Sequence, residues 1–206
     1  PTRDFGRMGV DPFDQSHTVE SGSDGAALTI VNHSTLQDGA VVCIYRHRQD
    51  KSSYFFDDMI KQAVFYSTPV LIENNKYGLC EEFDKRGWNG FAMKDPLEKD
   101  PKKRAMPKRG ISTTGEDKIQ KMLDHAQAFI YDYIGHNEAT GEYGWCPHNQ
   151  LLEECVKFEP TKRTKYDLVM ALLMATTAFR TKHERVKVKR KADISDWFNT
   201  FKTANN

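Results

Sequence analysis

A chain of 206 residues, 38% hydrophobic and 29% charged, can bury one sizeable core, and its composition is that of a soluble globular protein. No apolar run is long enough to cross a membrane as a helix. Thirty Lys and Arg against 29 Asp and Glu leave a net charge of +1, which excludes a uniformly basic nucleic-acid binder and makes the distribution of charge the informative quantity.

The first residues, Pro1-Thr2-Arg3-Asp4-Phe5, carry neither an initiating Met nor a signal peptide and read as the interior of a longer polypeptide. Phe5 to Val10 is expected to form a strand leading into Asp11-Pro12. A Gly/Ser/Asp-rich turn follows over 14–25, then strands over Ala26–Val31 and Ala40–Tyr45, the last after the turn Gln37-Asp38-Gly39. Connections this short predict an antiparallel meander. The period then changes. Phe56, Met59, Ile60 and Ala63 mark one face of a helix over 54–66, and Pro69 opens a short strand, Val70-Leu71-Ile72, that ends in Glu73. Asn74 or Asn75 can cap the next helix, which turns Tyr77, Cys80 and Phe83 inward and stops at Gly87.

Residues 88–110 have no period and hold three prolines, so a loop or flexible hairpin is expected. Thr113-Thr114-Gly115-Glu116 has the form of a capping box opening an amphipathic helix on Ile119, Met122, Leu123, Ala126, Ile130 and Tyr133. Residues 135–147 read as irregular and Leu151–Phe158 as a short helix before Pro160. Residues 167–179 read as a helix apolar nearly all round, hence buried. Asp167, Ala171, Ala175 and Ala178 share a face whose small residues let the helix lie close to a sheet, bringing Asp167 toward the strand ends that carry Asp11 and Glu73. A small helix is expected around 194–201.

Three acids thus sit where an apolar run meets a turn or a helix start: Asp11, Glu73 and Asp167. A buried carboxylate without a partner costs several kcal/mol, on the order of a broken ion pair. A shared divalent cation such as Mg²⁺ or Mn²⁺ would hold all three, and two such ions about 4 Å apart is the arrangement of two-metal nucleases. Asp167 also complements its own helix dipole. Basic residues concentrate in 94–109, with Lys102, Lys103, Arg104, Lys108 and Arg109 as candidate DNA contacts, and again in 180–191. Asp14 and Asp24 fit turn chemistry or a contact to the metal or its waters, and His136 and His148 a surface or core role or that of a proton carrier. Trp88 and Trp145 fit packing under loops before stacking on bases. Cys43, Cys80, Cys146 and Cys155 form no CxxC pair, and Cys146-Pro147-His148 lacks further ligands at zinc spacing. Reduced thiols in a reducing cytoplasm follow.

The order of elements resembles the ribonuclease H-like α/β plan: an antiparallel three-strand meander followed by a parallel strand, with flanking helices. The motifs Gly9-Val10-Asp11-Pro12, Leu71-Ile72-Glu73-Asn74-Asn75-Lys76-Tyr77-Gly78 and Tyr166-Asp167-Leu168-Val169-Met170-Ala171-Leu172 resemble those of the nuclease domain of large terminase subunits of tailed phages and herpesviruses. The resemblance implies a domain over 1–180 followed by a basic tail, 181–206. It also implies a two-metal endodeoxyribonuclease that cuts double-stranded DNA during viral genome packaging in the host-cell cytoplasm, with Asp11 bridging the metals. An ATPase motor domain, the portal and the small terminase subunit are the partners it implies, and no membrane. The family often pairs two aspartates in the third motif, where this chain has Tyr166-Asp167. No phosphate-loop motif is present, so no ATP hydrolysis is expected of this chain. A resolvase or transposase on the same plan, or a non-catalytic DNA- or protein-binding module, are the rival readings.

Overall fold

A computed structural model describes residues 5–13, 24–31, 39–75, 78–137 and 141–180. Asp14, the basic residues 181–191 and the helix expected at 194–201 lie outside them. The strands are β1 (Gly6–Asp11), β2 (Gly25–Val31), β3 (Ala40–His47) and β4 (Val70–Ile72), and a two-residue hairpin is formed by β5 (His136–Asn137) and β6 (Glu142–Tyr143). The helices are α1 (Ser52–Tyr66), α2 (Gly78–Lys85), α3 (Pro101–Ala105), α4 (Glu116–Tyr133), α5 (Asn149–Lys157) and α6 (Asp167–Arg180). The main sheet has the order β3-β2-β1-β4. β1 and β3 pair antiparallel with β2, and β4 runs parallel to β1, as the meander and the crossover through α1 require.

Alternation along the strands sorts side chains onto two covered faces. Met8, Val10, Ala27, Val70 and Ile72 pack with Phe55 and Met59 of α1 and with Leu79 and Phe83 of α2. Ala26, Leu28 and Ile30 point the other way, onto Ala171, Leu172 and Ala175 of α6. Leu71 joins that second face through Val169, Leu173 and Met174, with Ile119 and Met122 of α4 behind them. Every residue of β2 is buried because both faces are covered. The apolar residues of α6 bury on all sides from Leu168 to Ala178.

Gly9 sets how close α6 comes. A Cβ there would lie 2.2 Å from the Ala171 carbonyl oxygen and 2.3 Å from the Ala175 amide nitrogen. Two residues back, Arg7 donates from Nε to the Ala178 carbonyl at 3.1 Å. The helix therefore runs antiparallel to β1, with Ala178 over Arg7 and Ala171 and Ala175 over Gly9. Its first turn lies toward the Asp11 end.

Local readings fail in four places. Within 88–110 the chain is not a plain loop: Asp100 caps the short helix α3, accepting from the Lys102 amide at 2.9 Å with Pro101 in the first turn. In the same stretch Ala92 bridges to Val70 beside β4. The stretch read as irregular contains the β5–β6 hairpin. Phe55, not Phe56, fills the core from α1. The Thr113–Glu116 box does not cap α4, whose N-cap is Gly115 with no side-chain bond.

Candidate functional site

Asp11 is the last residue of β1, and Glu73 follows β4 on the neighbouring strand. The Glu73 amide donates to the Val10 carbonyl at 2.9 Å, continuing the parallel register Val10↔Ile72. The two acids thus stand side by side on strands about 4.8 Å apart. Asp11 has the parity of Gly9 and Glu73 that of Leu71, so both occupy the face covered by α6. On the other side of β1, Asp11 pairs with Ala26. Just before β2, the Asp24 amide donates to Asp167 Oδ2 at 3.0 Å. One end of the sheet therefore gathers all three acids across β2, β1 and β4, and all are buried: Asp11 7% exposed, Glu73 8% and Asp167 4%.

Their surroundings differ. Glu73 is held by neutral donors: Asn75 Nδ2 donates to its Oε1 at 3.0 Å, and the Thr113 hydroxyl makes a short bond to the same oxygen. Asn75 also donates to Thr113 Oγ1 at 2.8 Å. Thr113 arrives there because Ile111 extends the sheet beside Glu73, donating to the Ile72 carbonyl at 2.8 Å. Gly110 permits that approach. Its φ is +78°, and a Cβ would lie 2.6 Å from the Ile72 carbonyl oxygen. Asn74 donates to the Arg109 carbonyl at 3.1 Å. Asn74, Asn75 and Thr113, read from the sequence as capping residues, pin the acid-bearing segment.

Asp167 sits among charges. Arg46, on β3, donates from Nε to Asp24 Oδ2 at 3.0 Å and from Nη1 to Glu154 Oε1 at 2.8 Å, and its Nε lies 4.0 Å from Asp167 Oδ2. Glu154, on α5 and only 8% exposed, turns its other oxygen to the Leu168 and Val169 amides at 3.0 and 3.4 Å. Burial pushes the Asp167 carboxyl up to about 6; the Asp24 amide and Arg46 oppose this, and the Asp24 and Glu154 charges add to it. Burial likewise raises Glu154, opposed by Arg46. A cleft of about 450 Å³ opens beside this network, with Lys157, Lys165 and Tyr166 on its walls.

The donor set of the three acids is all carboxylate oxygen, which suits a hard divalent cation. In their present rotamers, among the described residues, no three His, Cys, Asp or Glu side chains are gathered tightly enough to hold one. Glu73 is turned toward Thr113 and Asn75, and Asp167 toward the Asp24 amide.

The remaining candidates separate from this end of the sheet or take structural partners. Lys102, Lys103 and Arg104 are exposed on α3, as is Lys108 beyond it. The Arg109 guanidinium donates to the Ala92 carbonyl at 3.1 Å. His148 Nε2 lies 3.1 Å from the Val41 carbonyl, and the His136 ring packs on Tyr143. Trp88 rests edge-on against Phe91, whereas Trp145 is 59% exposed rather than packed beneath a loop. All four cysteines are free thiols, and burial raises Cys80 to about 12. No described helix is long and apolar enough to cross a membrane.

Sequence reasoning misses Arg46 and Glu154. The available signal is Glu154 itself, an acid on the same helical face as the buried Leu151.

No family model matches the sequence, and neither does any curated protein. Among solved structures, the large terminase nuclease from the thermophilic phage G20c, crystallised with bound zinc, superposes with a TM-score of 0.54 at 14% identity, covering 84% of this chain and 81% of that one. In fold, this chain is similar to the large terminase nuclease, with the four-stranded mixed sheet and flanking helices of the ribonuclease H-like plan.

Proposed function

We propose that this chain is the nuclease domain of a viral large terminase, a metal-dependent endonuclease that cuts double-stranded DNA during genome packaging. The observation that carries the reading is the meeting of Asp11, Glu73 and Asp167 on one face at one end of the sheet, on a fold shared with a terminase nuclease. Asp11, Glu73 and Asp167 would hold Mg²⁺ or Mn²⁺. When bound, such ions activate water and neutralise charge on a phosphodiester. The protein's own part is to keep three acids buried on one face at one end of the sheet, with Thr113 and Asn75 orienting Glu73 and the Asp24 amide orienting Asp167. Lys157 and Lys165 line the cleft beside Asp24, Arg46 and Glu154 and would contact backbone phosphates there, and Lys102, Lys103, Arg104, Lys108 and Arg109 are the further candidates for such contacts. Such contacts bind without reading bases. In the packaging machine the expected partners are an ATPase motor domain, the portal and the small terminase subunit.

Supercoiled plasmid with Mn²⁺, Mg²⁺ or EDTA tests the reading. Cutting should require metal and should disappear in each of Asp11→Ala, Glu73→Ala and Asp167→Ala. Wild-type cutting by any one variant would remove that residue from the site. A preference for branched DNA, or strand transfer, would point to the resolvase or transposase reading instead.

A further inference from the structure

We infer that Glu154, clamped by Arg46, is a positioning residue for Asp167: it fixes the first turn of α6 so that the Asp167 carboxylate is presented at the sheet end beside Asp11. The inference rests on the proposed metal-dependent function.

Glu154 is a charged side chain brought almost wholly out of water, which is costly unless both oxygens are used. Both are. Oε2 accepts from the amides of Leu168 and Val169, two donors at the start of α6 that lack intrahelical partners. Oε1 accepts from Arg46 at 2.8 Å. Because the capping group comes from α5 and not from the residue preceding the helix, it ties the first turn of α6 to a separate element. Arg46 in turn binds Asp24, whose amide holds Asp167 Oδ2. Asp167 is therefore positioned twice through one guanidinium: along its backbone by way of Glu154, and at its carboxylate by way of Asp24. An ordinary N-cap would fix the helix end alone and would not need a buried charge tied to β3. Glu73 achieves comparable fixation with neutral Thr113 and Asn75, so the charged clamp is specific to the Asp167 side.

Manganese binding to the full chain, measured by titration calorimetry well below each variant's melting temperature, tests this. Groups that orient a metal-ligating residue typically change affinity by about 10- to 100-fold when removed. Glu154→Ala should weaken Mn²⁺ binding by roughly tenfold, and Glu154→Gln, which keeps an oxygen for the Leu168 amide, should recover most of that loss. Arg46→Met, with its fold checked by circular dichroism at the titration temperature, should weaken binding in the same direction. In cleavage assays the loss should fall on kcat, with KM for DNA unchanged. If Asp11→Asn abolishes Mn²⁺ binding while Glu154→Ala and Arg46→Met bind as wild type does, the clamp is only a brace and the inference fails, with the metal site intact. If Asp11→Asn binds Mn²⁺ as tightly as wild type, the metal-site reading fails and the positioning role falls with it.

Discussion

The two carboxylates flanking Asp11 are both buried and differently held. Glu73 lies among uncharged donors, Thr113 and Asn75, delivered by an added strand segment at the sheet's edge. Asp167 lies in a network of one cation and three anions spanning β3, the residue before β2, α5 and α6. A neutral cradle fixes a side chain at little electrostatic risk, since removing a donor strands at most one hydrogen bond. A charged network fixes it more rigidly but couples its stability to pH and to every member's presence.

The largest break in that contrast should come from Arg46. Arg46→Ala leaves the Glu154 carboxylate buried with no cation and should destabilise the protein by about 2 kcal/mol at neutral pH, a figure reduced for Arg46's partial exposure. Denaturant melts at pH 7 measure it. A loss below about 0.5 kcal/mol, the size of a neutral surface change, would mean that the network contributes no more than a surface pair.

Next comes pH. The folded-state value of Asp167 is raised from 3.8 to about 6, so between these values the folded state holds a proton that the unfolded state has released. Folding stability from this group is therefore greatest below about pH 4 and falls as pH rises through 6. Asp167→Asn removes the charge that burial opposes. In EDTA it should stabilise the protein by on the order of 2 kcal/mol at pH 7, with the gain gone near pH 4. Parallel melts of the two proteins across that range decide it, and a pH-independent difference would refute the raised value.

On the other side, Thr113→Val removes a buried donor to Glu73 and should cost about 1 to 2 kcal/mol in denaturant melts at pH 7. A loss below about 0.5 kcal/mol would mean that this bond holds Glu73 no more firmly than a surface contact. The smallest effect on stability should come from neutralising Lys102, Lys103 and Arg104, within about 0.5 kcal/mol of wild type. The same change should flatten the salt dependence of DNA binding by roughly 0.9 in log–log slope for each phosphate no longer neutralised. An unchanged slope would make α3 a solvated surface element.

The sheet and the three acids are legible in the chain because each depends on local patterning: alternation in β1 to β4, and a carboxylate at the end of an apolar run. The small-residue face of α6 is likewise readable, and Gly9 meets that face directly. What surrounds the acids is not legible. Arg46 and Glu154 are 108 residues apart, and Thr113 and Glu73 are 40 apart, so nothing in either neighbourhood announces the pair. Thr113 and Asn75 pass for helix caps because their types suit both roles, and the competition between a local amide and a distant carboxylate is settled only by tertiary structure. α3 escapes notice because its five residues carry no period; Asp100 followed by Pro101 is its one usable sign.

The close seating of α6 on β1 has a consequence for the order of assembly. Of the described elements, the one that completes the acid set is the last in the chain. Residues 11, 73 and 167 meet across long stretches of sequence, and such meetings form late because loop closure must come first. During synthesis, a nascent chain that has folded β1 to β4 presents two of the acids over an uncovered sheet face, and the third arrives only when α6 docks. On the proposed function, DNA cutting would be withheld from partly made chains, and completion of the fold would act as its safety catch.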